Sequence, residues 1–177
     1  MTYKAGVKDT LTAVVNKEVT GVTYDFVTNF STYASSWNNQ YAEHTITSTD
    51  LGTYSMAASF TLSNACKQTG TITDKPVCAV KTGTHYITVT EVTSGDFSSI
   101  TSFSVKLAQW TTKVFTDIHL EYSLDGTTWV SCSDVITTPG DLSSNVDIKN
   151  AVAFRVSYTA ASEKNVQLGL ASITLGN

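Results

Sequence analysis

Glu121-Tyr122-Ser123-Leu124-Asp125-Gly126-Thr127-Thr128-Trp129 reads as one hairpin: an extended segment, a turn at Asp125-Gly126, and a returning segment. Glycine accepts the positive φ of a tight turn, and Asp-Gly between alternating segments is a strong short-range hairpin signal. Just upstream, Ile118, Leu120 and Tyr122 alternate with His119 and Glu121. A period of two puts the apolar residues on one face and the polar residues on the other, which is a half-buried strand and not a helix.

The same period recurs in both directions from this hairpin. Val152, Phe154, Val156 and Tyr158 alternate with Ala153, Arg155 and Ser157, and Phe103, Val105 and Leu107 alternate with Ser102, Ser104 and Lys106. His85–Val92 is a Thr-rich strand, Tyr54 to Leu62 alternates over nine residues, and Val22, Tyr24 and Phe26 share a face. The last segment changes phase: Val166, Leu168 and Leu170 are even-numbered, Ile173 and Leu175 odd. A bulge near Ala171–Ser172 would restore the face. At least eight strands at this spacing predict an all-β fold, a single antiparallel β-sandwich of jelly-roll type with little helix. Leu11–Val19 is the candidate for a short helix or an extended arm, and Phe30–Tyr41 for an aromatic-bearing loop. Residues 1–20 are set apart as an N-terminal arm, tied to its own sheet or to a neighbouring subunit. Residues 21–177 form the sandwich domain.

Composition agrees. A chain of 177 residues suits one domain, and at that size folding buries roughly 68–70% of the surface the unfolded chain exposes. Charged residues make up 15%, against roughly 25% in an average soluble domain. Thirty threonines and twenty serines take their place, and β-branched Thr fits a pleated, half-exposed surface. The net charge of −4, with ten scattered lysines and Arg155 as the single arginine, speaks against nucleic acid and against basic anchoring to a membrane. No apolar run approaches the ~20 residues that span a bilayer. The opening Met-Thr-Tyr-Lys-Ala-Gly-Val-Lys does not resemble a signal peptide, so the expectation is a native start or a replaced export signal. Cys66, Cys78 and Cys132 are an odd count: a Cys66–Cys78 bridge around Pro76 is sterically possible, and three reduced thiols are the alternative.

The run Tyr122, Ser123, Asp125, Gly126, Trp129 resembles the "YS-x-DG-x-x-W" hairpin of discoidin-type, galactose-binding-like β-sandwiches. Ala153-Phe154-Arg155-Val156-Ser157-Tyr158 is similar to that family's Arg-bearing strand. Val166 to Ile173 stands where its closing strand would be. The resemblance covers roughly residues 85–176. It implies a sandwich with Trp129 as a core anchor of the returning strand. It also implies glycan or protein binding through loops at one end, and in some members a structural calcium. Such domains occur in surface proteins of gut Bacteroidetes and in virion proteins of their phages.

Catalytic equipment is not legible. His44, His85 and His119 are far apart in sequence with no zinc-ligand spacing around them, and no nucleophile elbow, phosphate loop or dinucleotide fingerprint occurs. The acids sit in turn contexts such as Asp125-Gly126 and Gly140-Asp141, which turn chemistry explains. The expectation is a non-enzyme with no metal and no cofactor.

Candidate contact residues are Trp37, Asn38, Asn39 and Tyr41, in a loop whose aromatics and amides suit a sugar face, a protein interface, or a plug closing one end of the sandwich. Trp110 has no periodic assignment and is a second surface candidate. Arg155 faces away from the apolar side of its strand, as Glu121 does. A structural pair between them and recognition of a carboxylate on a ligand or partner are both open. The first functional expectation is a phage virion surface component, a capsid decoration or head-fibre protein, in homo-oligomers such as trimers, with other virion proteins as partners. The alternative is a carbohydrate-binding module of a bacterial surface or secreted protein.

Overall fold

The strand that carries Arg155, β10 (Ala153–Ala160), has antiparallel neighbours on both sides. On one side β7 (Phe115–Ser123) sets Glu121 opposite Arg155; on the other β5 (Gly83–Glu91) sets Thr88 opposite it. The structure is a computed structural model that describes residues 21–67, 76–80, 83–110, 114–160 and 166–177. The N-terminal arm expected over 1–20, Leu11–Val19 included, lies outside the described residues.

Beyond β5 come β3 (Ala58–Cys66) and then β2 (Ala42–Thr47); beyond β7 comes the two-residue β8 (Val130–Ser131). The second layer is built on β11 (Val166–Gly176). β6 (Ser102–Gln109) pairs along one side of it, and β9 (Asp141–Ser143) pairs with β6. On its other side β4 (Val77–Val80) and β1 (Val22–Asp25) pair with its two ends. β3 carries the hydrogen bonding between layers: residues 58–62 pair with β5, while Ala65 and Cys66 pair with Cys78 and Val77 of β4. Asn64, at φ 58°, sits in that corner, where a strand that changes sheets needs a bend. Among the described residues all pairings are antiparallel and only two one-turn helices occur, α1 (Phe30–Tyr33) and α2 (Ser48–Leu51), and the fold is the all-β sandwich that the alternation predicts.

The two apolar faces meet in one core. Phe60, Leu62, Ile87, Val89, Ile118, Leu120, Phe154 and Val156 from the first layer are buried against Tyr24, Phe103, Val105, Ile173 and Leu175 from the second. The rings interlock across the layers: Phe103 lies 5.3 Å from Phe154, and Tyr24 4.9 Å from Phe60, centroid to centroid. The phase change in β11 is resolved as expected, by a register shift against β6 between Leu170 and Ser172.

Two boundaries differ from the sequence reading. The alternation beginning at Tyr54 becomes paired strand only from Ala58, because Tyr54 and Met56 instead pack against the core ahead of the strand. The Phe30–Tyr41 segment opens with helix α1, which buries Phe30. Cys66, Cys78 and Cys132 are buried free thiols, so the two expectations resolve as reduced cysteines. Burial pushes the Cys78 thiol up to about 12, and the Cys132 thiol likewise, there with help from the negative charge of Glu121.

Candidate functional site on the solvent face of the first layer

Residues that alternate with the core positions of β7, β10 and β5 form one outer face. Strand register arranges it in rows. Glu121, Arg155, Thr88, Thr61 and Thr45 run across five strands, and His119, Ser157 and Tyr86 lie in the next row. Asp117, Thr159 and Thr84 follow. Hydroxyls dominate, as the Thr- and Ser-rich composition leads one to expect.

Arg155 is the centre of this face. Its Nε donates to Glu121 Oε2 at 2.5 Å. The guanidinium carbon lies 3.9 Å from the centre of the Tyr86 ring and 4.1 Å from that of Trp129. β10 lies between β5 and β7, so the two rings approach from opposite sides. A planar, weakly hydrated guanidinium suits such stacking, and a cation over a ring face is attracted by the ring quadrupole. Glu121 also approaches His119, Oε1 to Nε2 at 3.7 Å, and the other ring nitrogen of His119 bonds Asp117. The result is a chain Asp117–His119–Glu121–Arg155 with an aromatic ring on either side of its end.

Local structure explains why Trp129 reaches this point. Asp125 accepts hydrogen bonds from Thr127 N at 2.7 Å and from Thr128 N and Oγ1 at 2.6 and 2.8 Å. These bonds hold its carboxyl well below the usual carboxylate range. Ser123 Oγ, itself buried, accepts from Gly126 N at 2.9 Å, and Gly126 takes φ 77°. The turn thus folds as the sequence suggests, but Val130 opposes Tyr122 in β8, so Trp129 falls on the polar side. The expectation that Trp129 anchors the core is therefore corrected: it is half-buried on the solvent face, stacked on Arg155.

The other sequence candidates do not join this cluster. Trp37 is 9% exposed, packs edge-on against Phe30 and Tyr33, and stacks on His44 at 3.9 Å with 13° between the rings. Of its three readings, this packing resembles the plug: the indole is buried among its own neighbours and offers little face to a ligand. Asn38 and Asn39 are exposed; Asn38 Oδ1 accepts from Gln40 N at 2.8 Å. The Tyr41 hydroxyl accepts from Gln167 Nε2. Trp110 is half-buried and follows Gln109, the partner of Leu168, on the second layer. The Arg155–Glu121 pair is present. Tyr86 was missed, although an aromatic out of phase with Ile87 and Val89 in a Thr-rich strand was the available signal. His119 carries no metal-ligand spacing in sequence, and its carboxylate neighbours Asp117 and Glu121, each two residues away on the same strand face, are the signal for the chain it joins. Among the described residues no three His, Cys, Asp or Glu side chains gather where a metal ion could sit.

No protein-family model and no curated protein matches the chain. Two solved structures are similar to it in fold. One is a family 29 carbohydrate-binding module, CBM29_1, from Piromyces equi: 7% identity, 90% of this chain and 93% of that chain covered, TM-score 0.46. The other is the Clostridium thermocellum xylanase Xyn10B CBM22-1–GH10 fragment complexed with xylohexaose. It shows 14% identity with 88% of this chain and 28% of that chain covered, TM-score 0.36.

Proposed function

We propose that the chain is a non-catalytic glycan-binding module, with the ligand lying against Tyr86 and Trp129 on the solvent face of β5, β10 and β7. The observation that carries this reading is the pair of aromatic rings held on either side of Arg155 amid a field of threonine and serine hydroxyls. A partly exposed aromatic ring offers an apolar face to the C–H side of a pyranose, while Tyr and Trp keep a polar tip for hydroxyls. Few polar groups set around aromatic surface is the usual composition of a small-ligand site. Because Tyr86 is carried by strand β5 and Trp129 by the bonded turn that enters β8, and both rest on a fixed cation, binding would lose little side-chain entropy.

Catalysis is a poorer fit. A glycosidase sets two carboxyl groups across an open gap that holds the scissile bond. Here the imidazole of His119 lies between Asp117 and Glu121, and Glu121 is engaged by Arg155. The virion reading rested on a secreted-type fold that starts without a secretion signal, on low charge with abundant Thr, and on an N-terminal arm; the arm lies outside the described residues, and neither similar structure is a virion protein. On the glycan reading the chain works at a cell surface or as part of a secreted protein, without a cofactor.

Affinity electrophoresis through soluble polysaccharides tests the proposal. Trp129→Ala and Tyr86→Ala should each abolish retardation while the protein stays folded by circular dichroism. Retardation unchanged in both variants would remove this face as the site.

A further inference from the structure

The class of glycan follows from how Arg155 is already used, given the glycan-binding reading above. An arginine captures a carboxylate or sulfate through a planar edge carrying two N–H donors. Here Nε is committed to Glu121 Oε2, which takes the Nε edge of the guanidinium, and the guanidinium carbon lies over the Tyr86 ring and the Trp129 ring, which flank the remaining Nη donors. Its charge is compensated by the carboxylate beside it. Asp117 adds a second carboxylate to the same face, two residues along β7 beyond His119. Among the described residues, the other groups in the rows that cross β7, β10 and β5 beside this cluster are hydroxyls: Thr84, Thr88, Ser157 and Thr159. The chain as a whole is acidic, at −4. An anionic sugar brought to these rings would meet two carboxylates with the His119 imidazole between them, and one guanidinium that is already paired, in a partly desolvated setting where charge interactions outweigh their strength in bulk water.

We infer that this face takes neutral glycans and discriminates against those carrying carboxylates or sulfates. Arg155 looks, in sequence, like an anion hook; in the fold it is the spacer between two stacking rings.

The test compares retardation of the full chain in gels containing neutral polysaccharides (galactomannan, xyloglucan, mixed-linkage β-glucan, arabinoxylan) with gels containing polygalacturonate or alginate. Ionic strength is kept low, where charge effects are least screened. The expected result is retardation by at least one neutral polymer, with affinity for each acidic polymer at least tenfold weaker. Glu121→Gln, which releases the guanidinium from its carboxylate, should narrow that gap by threefold or more. Acidic polymers retained as strongly as neutral ones would overturn the inference and leave the glycan reading standing. A gap unmoved in a folded Glu121→Gln protein would overturn the role given to the Arg155–Glu121 pair. Free migration through every gel would overturn the glycan reading itself.

Discussion

The guanidinium carbon of Arg155 lies 4.1 Å from the centre of the Trp129 ring, on the solvent side of a strand whose opposite side buries Phe154 and Val156. Two residues whose sequence contexts point to a surface cation and a core indole thus form one stack. This changes what each should contribute to stability.

Trp129→Ala should lower stability by about 1–2 kcal/mol, the range of a partly exposed cation–π contact. Phe154→Ala, which empties a fully buried site, should cost about 3–5 kcal/mol. Urea denaturation of the two variants checks the contrast. A loss from Trp129→Ala as large as that from Phe154→Ala would place the indole in the core after all.

The Arg155–Glu121 pair is largely buried, with side chains 17% and 13% exposed. Glu121→Gln leaves the arginine short of its charged partner and should cost about 2–3 kcal/mol. Arg155→Met should cost a similar amount, and the double variant less than the sum. A double-mutant cycle measures the coupling. Strict additivity would show that the two side chains do not depend on each other in solution.

Gly126 takes φ 77°, and a Cβ added there would meet nothing within 4 Å. The penalty for Gly126→Val therefore comes from backbone strain alone, about 1–2 kcal/mol or more for a β-branched side chain. Thr127→Val should stay within about 0.5 kcal/mol. Thermal melts of the two variants distinguish them, and equal shifts would be inconsistent with this turn.

Trp37 and His44 give a pH-dependent prediction. Burial lowers the His44 pKa below its usual 6.5, while a hydrogen bond with the Ala65 backbone works the other way. Its Nε2 is buried without a hydrogen-bond partner among the described residues. With the folded value depressed, the unfolded chain binds the proton first as pH falls. Stability from neutral His44 is then complete above about pH 6.5 and declines below it, levelling off under the folded pKa. Urea midpoints between pH 8 and pH 5 should show this slope, and His44→Phe, which keeps a ring against Trp37, should reduce it. An identical slope in the variant would assign the effect to other groups. Trp37→Ala should cost about 3–5 kcal/mol and leave glycan retardation intact wherever the protein is still folded.

Much of this fold is legible in the sequence, because alternation reports directly which side of each strand faces the core. Ile118 and Leu120 of β7, Phe154 and Val156 of β10, and the bulge in β11 all follow from that period. The Asp125-Gly126 turn follows from local chemistry, since only a few residue types accept its backbone. Short strands such as β4, β8 and β9 were not visible, because two to four residues carry too little alternation to register.

The composition of the outer face belongs to a different class of fact. A period of two says that Tyr86, Arg155 and Glu121 point outward; it does not say that they stand side by side. Arg155 and Glu121 are 34 residues apart in sequence, and Tyr86 comes from a third strand. What brings them together is strand register, set by fitting the apolar faces of two layers and by the turns between strands. The same holds for Trp37, whose polar neighbours in sequence suggest exposure while Phe30, Tyr33 and His44 enclose it in space. Sequence alone determined which side chains turn in and which turn out. Only the packed tertiary structure decided which outward ones became neighbours, because that choice is made by long-range contacts that no local pattern encodes.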